Sequence, residues 1–320
     1  MIFVIKYIIA NYLKYSRVGG FIMNKWLKIA LLSSLPVMGS AHTISPFVLP
    51  EVFDTKAAQN ISFQSALTIE KFFVPGINFK TDYVITEPDG KQTTISPAAT
   101  LKRFNVAEFD LPKDGTYRIR TQDALGNSGK YALVDGRWLR VRPVRPQMQN
   151  AEQKVEPKPV QAENAKPATA NQPPRMISAD QVPANAPTLE VKNNIIAESF
   201  VTKGKPSPLP AVSNKGFEFK LLTHPNELFA GESLKAQVLN NGKPVPNLEI
   251  DVFKGAGSYE TSAQRELPHV KTNAKGEVEI KLEKAGIYLI STAYPEANPD
   301  NTKKPESDIY SYGLTVEVTE

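Results

Sequence analysis

"GEVEIKLEKAGIYLIS", residues 276–291, decides the fold class. Val278, Ile280 and Leu282 alternate with Glu277, Glu279 and Lys281, the period of two that puts one side of a strand in a core and the other in water. After the Gly-containing turn the alternation resumes at Ile287 and Leu289, so the stretch reads as a hairpin. "ESLKAQVL" (232–239), "LEIDVF" (248–253) and "YGLTVEVTE" (312–320) behave likewise, and no segment beyond residue 41 sustains a 3.6-residue period. The expectation is an all-β protein.

The hairpin has a counterpart in the first half of the chain. "AEFDLPKDGTYRIRT" (107–121) and "VEIKLEKAGIYLIST" (278–292) share an alternating strand, a Gly turn and a second strand opening at Tyr117 or Tyr288. Upstream, "ITEPDGKQTTI" (85–95) parallels "VLNNGKPVPNLEI" (238–250), each a strand entering a Gly-Lys turn. Two copies of one architecture account for both matches. Short strands at turn-punctuated spacing, in lobes of roughly 100–130 residues, indicate two immunoglobulin-like antiparallel β-sandwich domains.

Between the lobes the composition changes. Residues 142–188 are dense in Pro, Ala, Gln, Lys and Glu with hardly a large apolar side chain. Such a stretch cannot bury enough surface to offset its ordering entropy and reads as a Pro-rich tether. The expected organisation is therefore an N-terminal sandwich over 42–145, a disordered linker over 146–189 and a C-terminal sandwich over 190–320. "NIIAESFVTKG" (194–204) is a strand that can pair with either lobe. If it pairs with the first, the lobes share a strand and the tether is only an excursion loop.

The first 41 residues read as a targeting segment. From Met23, Lys25 and Lys28 precede an apolar run from Ile29 to Met38, and "GSA" places small residues ahead of a cut after Ala41. That is a secretory signal peptide, with its apolar run too short to span a bilayer comfortably. Residues 1–22 read as a long n-region, a membrane anchor, or sequence upstream of the true start at Met23. The last is the expectation, because Met23 begins a complete signal. Lys6, Lys14, Arg17, Lys25 and Lys28 carry the whole +5 excess, so the mature chain is near neutral. Basicity therefore does not indicate nucleic acid. No later run reaches 18 apolar residues, so no membrane span is expected in the mature chain. The expected compartment is the periplasm.

Catalytic signatures are missing from the sequence: no G-x-S-x-G elbow, phosphate loop, dinucleotide fingerprint or H-E-x-x-H. With no cysteine there is neither a thiol nucleophile nor a cysteine metal site. The expectation is a non-enzyme. Three histidines remain as candidates. Cleavage after Ala41 would give His42 a free α-amino group beside its ring Nδ1, a nitrogen chelate suited to Cu(II) or Ni(II). His224, in "LLTHPNELFAGE", precedes a proline that forces an extended backbone, and reads as a strand-bend residue or a metal ligand. His269, in "ELPHVKT", reads as a surface residue at a strand start. Phe72, Phe73 and Phe79 read as core, and Trp138 as closing the first lobe against its own sheet.

Further motifs carry a family resemblance. A leader ending in Ala-His is followed by a strand-rich lobe, a tether, "THPNELFAGE" (223–232) and the turn at Gly242, Lys243 and Pro244. This pattern resembles the bacterial periplasmic domain-of-unknown-function family 4198 over nearly all of the mature chain. The resemblance implies a relation to soluble components of nickel or cobalt uptake systems, and partnership with an outer-membrane TonB-dependent receptor or a metal transporter. His42 and His224 are the positions that match its motifs. The other class of function left open is a protein- or glycan-binding sandwich module, accessory to such a receptor.

Overall fold

The computed structural model describes residues 44–68, 75–122, 124–125, 128–144, 175–255, 267–296 and 300–320. Residues 1–43, His42 among them, Phe72 and Phe73, and residues 145–174 of the expected tether region lie outside them. The first lobe opens with β1 (Ser45–Pro50), β2 (Asp54–Thr55), β3 (Asn60–Thr68), β4 (Pro75–Ile77) and β5 (Asp82–Thr86). It continues with β6 (Gln92–Ile95), β7 (Ala99–Thr100), β8 (Asn105–Asp110) and β9 (Gly115–Gln122). Next come β10 (Ala124–Leu125), β11 (Gly129–Val134), β12 (Arg137–Arg142), β13 (Met176–Ser178) and the long β14 (Thr188–Lys203). The second lobe adds β15 (Phe217–Leu221), β16 (Glu232–Asn240), β17 (Lys243–Pro244) and β18 (Glu249–Lys254). Its last strands are β19 (Val270–Lys271), β20 (Glu277–Leu282), β21 (Gly286–Tyr294) and β22 (Asp308–Val318). One 3₁₀ turn, Ala179–Gln181, is the only helical element among the described residues.

β14 organises the whole. Its 16 residues pair antiparallel with β11, β10 and β9 in turn, and parallel with β22 and β2. The strand thus belongs to both lobes. Side chains alternate across a strand, and here each face enters a different core. Ala197 and Val201 join Phe63, Tyr83 and Ile119 in the first core. Ile196 and Phe200 join Phe217, Leu234 and Tyr312 in the second. Ile195 through Thr202 are consequently all buried. Full burial of a side chain such as Phe200 contributes about 1.5–3 kcal/mol, so one strand stabilises both lobes at once.

A second junction lies on β21. Tyr288 and Ile290 face the second core, while Leu289 packs with Phe47, Ala66 and Phe253 in a cluster formed by both lobes. β1 approaches so closely that a Cβ on Gly313 would lie 1.8 Å from the Pro46 carbonyl oxygen. The Ser291 hydroxyl donates to Ser45 Oγ at 2.7 Å beside it. Residues His42–Glu320 accordingly form one compact unit.

The internal repeat is expressed in matching turns. Tyr117 donates its hydroxyl to the Lys113 carbonyl at 2.8 Å, and Tyr288 donates to the Lys284 carbonyl at 2.7 Å. Each hydroxyl anchors the start of its strand by bonding back to the preceding turn. At 241–242 the Asn-Gly pair takes φ of 49° and 73°, as a tight two-residue hairpin requires.

The stretch expected as linker, 146–189, is described from Arg175 onward. There it carries β13, which runs parallel beside β12, and the first residues of β14. With β11 these strands build a four-stranded arm extending the large sheet. Trp138 sits in this arm, half-buried, with its backbone N–H on the Asn301 carbonyl at 2.7 Å. Its backbone contact is therefore with the second lobe. Phe79 is buried beside Ile195 and Leu67, as a core residue should be.

Candidate metal and docking sites

His224 is set by the turn that Pro225 begins. The Asn226 N–H donates to His224 Nδ1 at 3.2 Å, which leaves the ring proton on Nε2. Nε2 lies 3.1 Å from the Ser207 carbonyl and 3.2 Å from Thr116 Oγ1. Burial lowers the pKa of this ring, against the opposing pull of Glu227 and the Ser207 hydrogen bond, so it is held neutral. Nε2 thus serves the contact between β9 of the first lobe and the loop entering the second, while Nδ1 fixes the local turn. Asn226 extends that contact, donating Nδ2 to the Phe53 carbonyl at 2.9 Å and to the Phe200 carbonyl at 3.2 Å. The "THPNELFAGE" motif is a joint between lobes, and a cation at His224 would have to displace the Asn226 amide. His42 lies outside the described residues.

A different histidine meets metal-type ligands. β18 and β19 pair antiparallel with Glu249 opposite Lys271 and Ile250 opposite Val270. Continued by one residue, that register brings His269 across from Asp251, on the same face as Glu249. His269 Nδ1 lies 2.6 Å from Asp251 Oδ1 and 3.8 Å from Glu249 Oε1. One ligand atom from each of the three lies within 4.8 Å of the others. Lys271 Nζ approaches the other Glu249 oxygen at 3.2 Å, so a lysine flanks the group. Imidazole nitrogen with two carboxylates is a donor set for borderline divalent cations. Sequence reasoning left Glu249 and Asp251 unremarked. Their signal is two acids at i and i+2 on the alternating strand "LEIDVF", visible as a site only once the partner strand is known.

The arm presents a third feature. By strand register Tyr131, Leu133, Trp138, Arg140, Arg142 and Met176 share one face. None of the six is buried, and Met176 is 42% exposed. Arg140 reaches across β11, its Nε 2.9 Å from where a Cβ on Gly129 would lie, so the glycine leaves room for the guanidinium.

These features define an all-β protein of mixed and antiparallel sheets whose two main cores share one strand. The chain belongs to the family described as domain of unknown function DUF4198, whose model matches residues 39–296. Comparison with curated proteins finds no match. Among solved structures the chain is similar to the D0-D1 domain of intimin, at 11% identity and a TM-score of 0.21, over 85% of this chain and 97% of that one. It is also similar to the Yersinia pseudotuberculosis adhesin InvE, at 10% identity and a TM-score of 0.20, over 87% of this chain and 61% of that one. A third similarity is to the FN1-FN3 domains of chicken CNTN1, at 9% identity and a TM-score of 0.19, over 87% of this chain and 69% of that one.

Proposed function

We propose that the mature chain is a non-enzymatic periplasmic accessory of a transition-metal uptake system, docking on an outer-membrane receptor or metal transporter through the β11–β13 arm. The observation that carries this reading is the half-exposed face of Tyr131, Leu133, Trp138, Arg140, Arg142 and Met176. Trp, Tyr, Arg and Met are the types enriched at protein interfaces, and Trp, Tyr and Arg dominate their binding energy. The paired arginines suit an acidic segment on the partner. The signal-type leader supports the compartment, and the cargo is read as Cu(II) or Ni(II), bound first by the α-amine and imidazole of His42.

Site-specific photocrosslinking in cells tests the docking. A photoreactive residue at Met176 should trap an outer-membrane receptor or transporter, identified by mass spectrometry, and the adduct should survive a chelator. The same probe at Lys220, on β15, should trap none. Combining the Met176 probe with Arg140→Glu and Arg142→Glu should abolish the adduct. An adduct that persists in that variant, or forms equally from Lys220, would remove the arm from the account.

A further inference from the structure

We propose that Glu249, Asp251 and His269 form an exchangeable binding site for one borderline divalent cation, of the zinc, nickel or copper class. The inference rests on the metal-handling reading and adds a place of binding at the edge of the second lobe to that at the chain terminus.

Geometry comes first. A cation bound at about 2.0–2.2 Å to nitrogen and oxygen donors holds its ligand atoms roughly 3.0–4.3 Å apart. The His269 Nδ1 to Glu249 Oε1 separation of 3.8 Å already lies in that range. The Nδ1 to Asp251 Oδ1 separation of 2.6 Å is that of a hydrogen bond and must open by about 0.5 Å, a small side-chain rotation. Metal then takes the place of the proton on Nδ1: the Nδ1–H bond breaks, the Nδ1–metal bond forms, and the proton passes through solvent to Nε2, so the ring binds as a neutral imidazole.

The backbone beneath the three donors supports the rest. Glu249 and Asp251 stand two apart on β18, itself paired with β21 through the Asp251 to Ser291 register, so both carboxylates rise from a ladder already braced. The Glu249 N–H donates to Glu296 Oε1 at 3.1 Å, which ties the strand start down and adds a further negative charge nearby.

Chemistry selects the cation. Calcium and magnesium ask for six or more oxygens, whereas this set supplies two carboxylates and an imidazole. Imidazole favours zinc, nickel and copper. Three protein donors leave coordination positions for water or for a receiving ligand, the arrangement of open rather than closed structural sites. Glu249 and His269 are both exposed, so a cation can enter and leave directly.

Calorimetric titration of the chelator-treated mature chain with Zn(II) and with Ni(II) tests the site. Beside it run His269→Ala, Asp251→Asn, and a chain extended ahead of His42 so that its α-amine is no longer terminal. The expected result is a binding event that both substitutions weaken at least tenfold, that the extended chain retains, and that Ca(II) does not reproduce. Binding lost on extension but unchanged in both substitutions overturns this site while leaving metal handling at His42 standing. Absence of binding in every chain overturns both, while the docking of the arm is judged separately by its crosslink. Unaltered thermal unfolding of the substituted chains separates a lost ligand from a lost fold.

Discussion

Glu198 accepts a hydrogen bond from Arg118 Nε at 2.8 Å with its carboxylate wholly shielded from water. The same oxygen receives Arg120 Nη1 at 3.1 Å, and the Tyr312 hydroxyl donates to the other. An acid from the shared strand is thereby bonded to β9 of the first lobe and β22 of the second. A buried charge is tolerable only when it is paired and hydrogen-bonded in this way.

Replacing that acid should be costly in a pH-dependent manner. Burial raises the Glu198 pKa, but Arg118, Arg120 and the Tyr312 hydroxyl outweigh it and hold the group below its ordinary 4.5. A depressed carboxylate stabilises fully above its unfolded pKa and loses that contribution as pH falls through the folded value. Glu198→Gln leaves two arginines without their counter-charge and should cost about 3–5 kcal/mol near neutral pH. Urea denaturation should show the gap between wild type and variant closing as pH falls below 4.5. A gap of constant size would mean that charge is not the source.

Gly313→Ala tests the close approach of the lobes. The added methyl would lie 1.8 Å from the Pro46 carbonyl oxygen, a backbone atom that cannot rotate away. β1 must move, straining the cluster of Phe47, Ala66, Phe253 and Leu289. A loss of about 1–3 kcal/mol is expected. Denaturation indistinguishable from wild type would show that β1 does not rest on β22 as described.

The repeated corners make a matched pair. Tyr117→Phe and Tyr288→Phe each delete one hydroxyl from a tyrosine that is otherwise buried. Each should lower stability by about 0.5–1.5 kcal/mol. Tyr117 should be the more sensitive, because its oxygen also accepts the Lys113 N–H at 2.9 Å. Chemical denaturation of the two variants side by side checks the order.

Unfolding should be cooperative across both lobes. β14 supplies residues to both cores, and a third cluster bridges β1 and β3 to β18 and β21. Calorimetry of residues 42–320 should give one transition. A fragment of 190–320 keeps the second core but exposes Ala197, Val201, Phe253 and Leu289, and should melt lower and aggregate. Two separable transitions in the longer chain would contradict the shared core.

How much of this was legible beforehand depends on the range of the interaction. The β-rich class, the hairpins and the matched Tyr117 and Tyr288 were readable because a strand's period of two and a turn's residue chemistry are local. The apolar run around Ile195 to Val201 was readable as a strand that could pair with either lobe, but not as one whose two faces enter two cores. Alternation assigns faces and does not say what covers them. Glu198 stood there as an acid in apolar surroundings, with Arg118, Arg120 and Tyr312 each about 80 or more residues away in sequence. His224 looked like a candidate ligand from its motif, whereas the fold spends Nε2 on the joint between lobes and Nδ1 on its own turn. Asp251 and His269 are separated by 18 positions, and only the β18–β19 register sets them 2.6 Å apart. By itself the sequence determined which segments are strands and where they turn. Tertiary structure decided that one strand serves two cores and which acids meet a histidine, because burial and coordination depend on neighbours that the chain brings together only by folding.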